Sequence, residues 1–302
     1  MLIDNMRVYI VQPNAHHKNV ESIRKMMTAN GVSYTECDDL RQIDDSYTLA
    51  ICCTRFFPPD AFPKNCKVVY GPQFFVFPDD PTHPIHKHSY EPGRFFYNSL
   101  SPWVKTIHEQ FAPDIGLKFI ACPFGVDVHS IRTVPPPSQR SKVMIYLKHR
   151  HPDLGNRVLG FLQSKNIEYH LIQYGSYKDI EFKNKLQNTK FVIWIGSHES
   201  QGFAFQETLA SNIPILLWDV ISMHDEYSNG YPYSGYGQPL LATTANVWSP
   251  ECGVKIFNEN ELESAFNEMN SKIDTFSPRK VIGETVSLKV AYQNMLNQVE
   301  YI

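Results

Sequence analysis

The sequence predicts an α/β protein built from two doubly wound, Rossmann-like domains, and three observations lead there. Short β-branched or aromatic runs recur along the chain, most of them apolar throughout. Stretches of helical character follow them. The pattern breaks once, at a proline-rich segment, and then restarts. Strands that are apolar on both faces and alternate with helices belong to parallel sheets covered on both sides. Right-handed crossovers wind such a sheet in both directions.

In the first half, Arg7 to Val11 (RVYIV) reads as a strand, and residues 19–29 as a helix ending at Asn30-Gly31, a C-cap signal. Thr48 to Cys53 (TLAICC) and Lys67 to Tyr70 are further strands. Between Phe74 and Arg94, proline, histidine and aspartate dominate without a period, which predicts a long, functional loop. Ser101 and Pro102 open a helix as N-cap and first helical residue. Phe119 to Cys122 (FIAC) is a strand leading into PFGVD.

Residues 133–141, TVPPPSQRS, have the composition of a stiff connector. The expected division is therefore a first domain at 1–134, a linker at 135–141 and a second domain at 142–285. A C-terminal helix at 286–302 is expected to pack back on the first domain. In the second domain the strands are Lys142 to Leu147, Glu168 to Gln173, Phe191 to Ile195 and Ile213 to Trp218. Helices are expected at 155–165, 178–188 and 203–211.

Composition narrows the function. The 302 residues, 42% hydrophobic and 20% charged, suit two domains of ordinary size. A formal charge of -3 without a long basic run argues against a nucleic-acid partner. The six cysteines show no C-x-x-C pair and no zinc spacing, so they read as buried reduced thiols in a cytoplasmic protein. No run approaches the ~18 apolar residues of a membrane span, which leaves only peripheral membrane contact open.

Ligands of doubly wound sheets bind at the carboxyl ends of the strands. After FVIWI comes GSHESQGFAFQETLASNIPILLWD, residues 196–219. Glu199 lies in the loop beyond the strand, Gly202 where the next helix begins, and Glu207 inside that helix. A glycine at a helix start lets backbone N–H groups approach a phosphate or a sugar hydroxyl. A carboxylate accepts hydrogen bonds from vicinal hydroxyls, as a ribose or hexose presents them. One strand–loop–helix unit can thus grip both ends of a sugar nucleotide.

Taken whole, ESQGFAFQE followed by TLASNIPILLWD resembles the donor-site motif of family 4 glycosyltransferases, two glutamates separated by seven residues with a glycine three after the first. CPFGVD (122–127), YLKHR (146–150) and NSLSPWVK (98–105) are similar to other segments of that family. The resemblance implies a GT-B fold, two Rossmann-like domains with parallel sheets facing a central cleft, the donor in the second domain and the acceptor in the first. It implies that Lys148 and Arg150 neutralise the donor diphosphate, that Glu199 faces the transferred sugar, and that Glu207 binds the ribose. Gly202 and Phe203 would offer backbone N–H groups, and Tyr174 and Gly175 would flank the base. His198, beside Glu199, is a further candidate for a donor-sugar contact. Retention at the anomeric carbon is implied, with neither metal nor other cofactor. The substrates would be a UDP- or GDP-linked hexose and a hydroxyl of a glycan, lipid or small molecule.

The first domain departs from the family's pattern. QPNAHHKN (12–19) stands in place of a glycine-rich loop, and Gly71, Pro72 and Gln73 stand where the family places a histidine. In the second domain, VISMHDEYSNGYPYSGYG (220–237), after the strand ending in Asp219, replaces a Gly-Gly pair. His16, His17 and Gln73 are the acceptor-side candidates, since they follow strands at their carboxyl ends. Two rival readings remain: a sugar-nucleotide epimerase of the same architecture, and a non-catalytic glycan-binding relative. His83, His86 and His88 lack the i, i+4 spacing of a helical metal site and read as a solvated or acceptor-facing loop. The pairs Asp38-Asp39, Asp44-Asp45 and Asp79-Asp80 read as turns rather than as a metal-binding Asp-x-Asp. The tyrosine-rich run 227–237 suits stacking on sugar faces or simple packing.

Overall fold

A computed structural model of the chain describes residues 6–301, apart from 13, 75–77, 79–81, 229–230 and 233–238. Asp79-Asp80 and most of the tyrosine-rich run lie outside the described residues. The strands are β1 (Arg7–Val11), β2 (Ser33–Cys37), β3 (Leu49–Cys52), β4 (Lys67–Tyr70), β5 (Phe95–Asn98), β6 (Lys118–Ile120), β7 (Lys142–Leu147), β8 (Tyr169–Gln173), β9 (Thr189–Ile195), β10 (Ile215–Trp218), β11 (Tyr227–Ser228), β12 (Tyr231–Pro232) and β13 (Gly253–Ile256). The helices are α1 (His17–Ala29), α2 (Pro102–Phe111), α3 (Pro152–Ser164), α4 (Asp179–Leu186), α5 (Phe203–Ala210), α6 (Leu262–Ser271), α7 (Pro278–Val286) and α8 (Leu288–Gln298).

The chain forms two units. The first comprises residues 1–127 and 286–302, the second residues 128–285. Residues 128–141, which the sequence divides between first domain and linker, thus belong to the second unit. Backbone anchoring is the reason. Arg279 donates to the carbonyls of Val128 and Ile131, and the buried Arg140 donates from Nη1 to the Thr189 carbonyl at 2.7 Å. The proline run is fastened along the second unit and includes a 3₁₀ turn at Pro137–Gln139.

The first unit's sheet is parallel, in the order β2-β1-β3-β4-β5-β6. β3 and β5 are buried along their whole length, as expected of inner strands covered on both faces. β2, with the polar sequence SYTEC, is a half-buried edge strand and carries no apolar run for a reader to find. Buried tyrosines tether the loops beyond the strands. Tyr70 donates to the Phe57 carbonyl at 2.8 Å, and the Tyr97 hydroxyl accepts from the amides of Gln73 and Phe74 at 2.8 and 3.1 Å. α8 packs on α1, and Gly125 fits between them: a Cβ there would lie 2.8 Å from Leu288 Cα and 3.0 Å from Met26 Cγ. The glycine of PFGVD is therefore required by close packing.

The second unit's sheet is also parallel, in the order β13-β10-β9-β7-β8, with β11 and β12 as a short antiparallel pair. One face of its core joins Val143, Ile145, Ile193, Ile195, Leu216 and Phe266. All six cysteines are free, and five of them are buried. Among the described residues, no helix is long and apolar enough to cross a membrane.

Candidate active site

β7, β9 and β10 are neighbours in the second unit's sheet, so the loops after them share one edge. Beneath this edge lies a floor of buried rings. Tyr146 of β7 stacks on Trp194 of β9 with centroids 3.8 Å apart and 14° between planes, and Phe205 of α5 meets Trp194 edge-on at 5.1 Å. Offset stacks and edge contacts of this kind hold rings in fixed orientations.

Above the floor, Lys148 Nζ donates to Glu199 Oε1 at 2.5 Å. The two side chains retain 16% and 15% of their exposure, so the pair is screened from most of the solvent. The ammonium also lies 4.5 Å from the centre of the Tyr174 ring, within cation–π range. Tyr174 itself is exposed. Its amide is held by the Leu147 carbonyl at 2.9 Å, and Gly175 turns the chain at φ 79°. The two charged residues are placed by backbone bonds: Lys148 N to Ile195 O, Ser197 N to Lys148 O, and Glu199 N to Thr243 O, at 2.9, 2.9 and 3.1 Å.

Gly202 caps α5 in the left-handed region, at φ 66° and ψ 51°. Side chains rarely adopt that conformation, and a Cβ at this place would also stand 3.4 Å from Glu199 Cβ. Phe203 begins the helix, whose positive end faces the same loop. Glu207, half-buried, follows one turn later.

Arg150 occupies a different place from Lys148. Its Nη1 donates to the carbonyls of Gly196 and Trp218, both at 3.2 Å, and so ties the ends of β9 and β10 together. Burial lowers its affinity for its proton, opposed by the nearby Asp225 and Asp219. His198 is buried, with Nδ1 3.3 Å from Glu226 Oε2. Burial, reinforced by Lys148 and His149, pushes the His198 imidazole down to about 4. Burial raises the Glu226 carboxyl, opposed by the Lys148 ammonium and aided by the Glu199 carboxylate.

Glu226 belongs to the segment after β10, which is pinned onto the segment after β7. Tyr227 N donates to His149 O at 2.8 Å, His149 Nδ1 pairs with Ser228 Oγ at 3.0 Å, and the His151 and Tyr227 rings meet at 4.8 Å. The buried carboxylate of Asp219 braces the next loop. It accepts from Thr243 Oγ1 at 2.6 Å, Thr244 N at 2.7 Å, Lys255 Nζ at 2.8 Å and Val220 N at 2.9 Å. Thr244 in turn donates to Ser197 O at 2.9 Å, and Asn246 donates to Ser200 O and Gln201 O at 2.9 and 2.7 Å. Gln201 and Gln206 close the network at 2.8 Å. Sequence reasoning missed this frame. An aspartate directly after an apolar strand was its one legible sign.

Of the sequence-predicted residues, Lys148, Glu199, Tyr174 and Gly202 come together directly, with His198, Phe203 and Glu207 on the same strand–loop–helix unit. The acceptor-side candidates lie in the first unit. His16 and His17 are exposed at the start of α1, their rings 4.5 Å apart, and His16 Nδ1 accepts from Lys18 N at 3.3 Å. Gln73 is half-buried and donates from Nε2 to Cys52 O at 3.3 Å. His83 caps a 3₁₀ turn, and His86 pairs with the Pro78 carbonyl at 2.6 Å. Among the described residues, no group of three His, Cys, Asp or Glu is placed to hold a metal.

No family model matches the chain, and no curated protein matches it either. Solved structures do. The chain is similar to the lipopolysaccharide outer core galactosyltransferase WaaB in its apo form, at 10% identity over 98% of this chain and 99% of that one, with a TM-score of 0.55. It is similar to a sucrose-phosphate synthase from Thermosynechococcus elongatus, at 10% identity over 98% of each chain and a TM-score of 0.53. It also resembles an S. aureus TarM variant in complex with fondaparinux, alpha-GlcNAc-glycerol and UDP, at 16% identity and a TM-score of 0.50. That match covers 85% of this chain and 56% of that one. At these identities the likeness concerns the fold, which is GT-B: two Rossmann-like domains with parallel sheets.

Proposed function

We propose that the chain is a glycosyltransferase that moves a hexose from a UDP- or GDP-sugar to a hydroxyl of a glycan, lipid or small molecule, with retention at the anomeric carbon. The observation that carries this reading is the Lys148–Glu199 pair beside the glycine-capped start of α5, at the carboxyl edge of the second unit's sheet. Such an edge is where doubly wound sheets hold nucleotides. Lys148 meets the diphosphate, whose charge grows as the leaving group departs. Arg150 adds positive potential from behind while fixing the strand ends. Glu207 accepts from the ribose hydroxyls, the N–H groups of Gly202 and Phe203 address phosphate and sugar, and Glu199 and His198 face the hexose. Tyr174 and Gly175 flank the base. His16, His17 and Gln73 serve the acceptor. Metal takes no part.

In the reaction the acceptor oxygen forms a bond to the anomeric carbon on the face that the phosphate leaves. The electron pair of the broken bond goes to the departing phosphate oxygen, which takes up the acceptor's proton. Glu207→Ala is expected to weaken donor binding by about 1.5–3 kcal/mol, as for hydrogen bonds to a charged group. Calorimetry with UDP- and GDP-sugars measures this, and unaltered affinity would remove Glu207 from the donor site. An NMR spectrum of an inverted product would overturn the stereochemistry.

A further inference from the structure

In the proposed transferase Lys148 and Glu199 serve different parts of one donor, yet the two side chains hold each other. Lys148 Nζ sits 2.5 Å from Glu199 Oε1 in a site that keeps only about one-sixth of either side chain exposed. A diphosphate brought against Lys148 in this arrangement also comes against the Glu199 carboxylate. Like charges repel strongly where water is largely excluded. Glu226 makes the surroundings more acidic still, lying 3.3 Å from His198, the residue next to Glu199.

We infer that the Lys148–Glu199 ion pair is a latch that the donor's diphosphate opens, handing Lys148 to the phosphate and thereby freeing Glu199 for the hydroxyls of the sugar. The latch rests on the donor-site assignment of these residues. It has a floor to move on: the Tyr174 ring, 4.5 Å from the ammonium, supplies a face along which Lys148 stays partly compensated as it changes partner. It also has a function. A site whose sugar-recognising carboxylate is occupied until phosphate arrives does not take up free sugars, because a neutral hexose brings nothing to replace the carboxylate on Lys148.

The experiment is calorimetric titration of UDP, GDP and ADP into the wild type and four variants. Glu199→Gln keeps the shape and removes the partner, and is expected to bind the matching nucleoside diphosphate about tenfold more tightly while sugar transfer falls. Glu199→Asp keeps the charge but withdraws it by one methylene, and is expected to bind about threefold more tightly. Glu226→Gln removes a neighbouring charge without touching the pair. It is expected to change affinity less than twofold, an effect that salt screens. Lys148→Met, which leaves the diphosphate without its cation, is expected to bind at least tenfold more weakly. Equal gains in Glu199→Gln and Glu226→Gln would reduce the latch to general electrostatics and overturn it. No gain in either Glu199 variant, with the wild type still binding, would also overturn it and leave the donor site standing. Absence of binding by every protein, the wild type included, would remove the donor site and the latch together.

Discussion

Asn98 in the first unit and Asp219 in the second do the same structural job with different chemistry. Each stands at the carboxyl end of a buried strand and holds the chain beyond it. Asn98 Oδ1 accepts from Leu100 N and Cys122 N, both at 3.0 Å, and Nδ2 donates to Cys122 O at 2.8 Å. An amide carries donors and acceptors together, so backbone alone satisfies it. Asp219 has only acceptors and a full charge, and its burial requires four donors, one of them the ammonium of Lys255. At these two strand ends, then, the first unit is braced by a neutral amide and the second by a fixed charge.

The comparison is sharpest in stability. Asp219→Ala strands Lys255 and unties the loop at 243–246, and is expected to lower the unfolding free energy by about 3–5 kcal/mol. Urea titration followed by tryptophan fluorescence reads this well, since Trp194, Trp218 and Trp248 all lie in the second unit. A cost no greater than that of Asn98→Ala would break the contrast.

The next effect belongs to pH. His198 titrates at about 4 in the folded protein, below the ordinary histidine value, because burial disfavours its cation. As pH falls from 6.5 towards 4, the unfolded chain takes up a proton that the folded protein refuses, so stability is lost in that window, by up to about 3 kcal/mol. The raised Glu226 carboxyl works in the opposite direction and offsets part of the loss. His198→Gln is expected to flatten the acid limb in urea titrations at pH 4–7. An unchanged slope would mean that the charged edge of the second unit does not govern its acid sensitivity. Smallest is Asn98→Ala, expected to cost about 1–3 kcal/mol by loss of buried hydrogen bonds, with little pH dependence, as far-UV circular dichroism would report.

Much of this architecture was legible because inner parallel strands are apolar runs. RVYIV, KVMIYL and FVIWI announce β1, β7 and β9, and the glycine between Glu199 and Glu207 announces the start of α5. Edge and short elements were less legible. β2 is polar because it is half-buried, and β13 comprises four residues after a long loop. The proline segment lies with the second unit for a physical reason: composition predicts stiffness but says nothing of Arg140 and Arg279 fastening the backbone alongside. At the site, Lys148 and Glu199 could be named from the sequence, but their bond to each other could not. Nor could the position of Arg150 on two carbonyls, since both depend on which side of a loop a long side chain takes.

The first unit is assembled from two distant stretches of chain, its α1 face covered by α8, which is made only after the whole second unit. Domains commonly mature in the order in which they leave the ribosome. Here that order is expected to reverse. The second unit has all its strands before residue 286 is translated, while the first waits with Met26 and Gly125 uncovered for its closing helix. Nascent chains stalled once residue 285 has cleared the ribosome should accordingly hold a finished second unit and an unsealed first one.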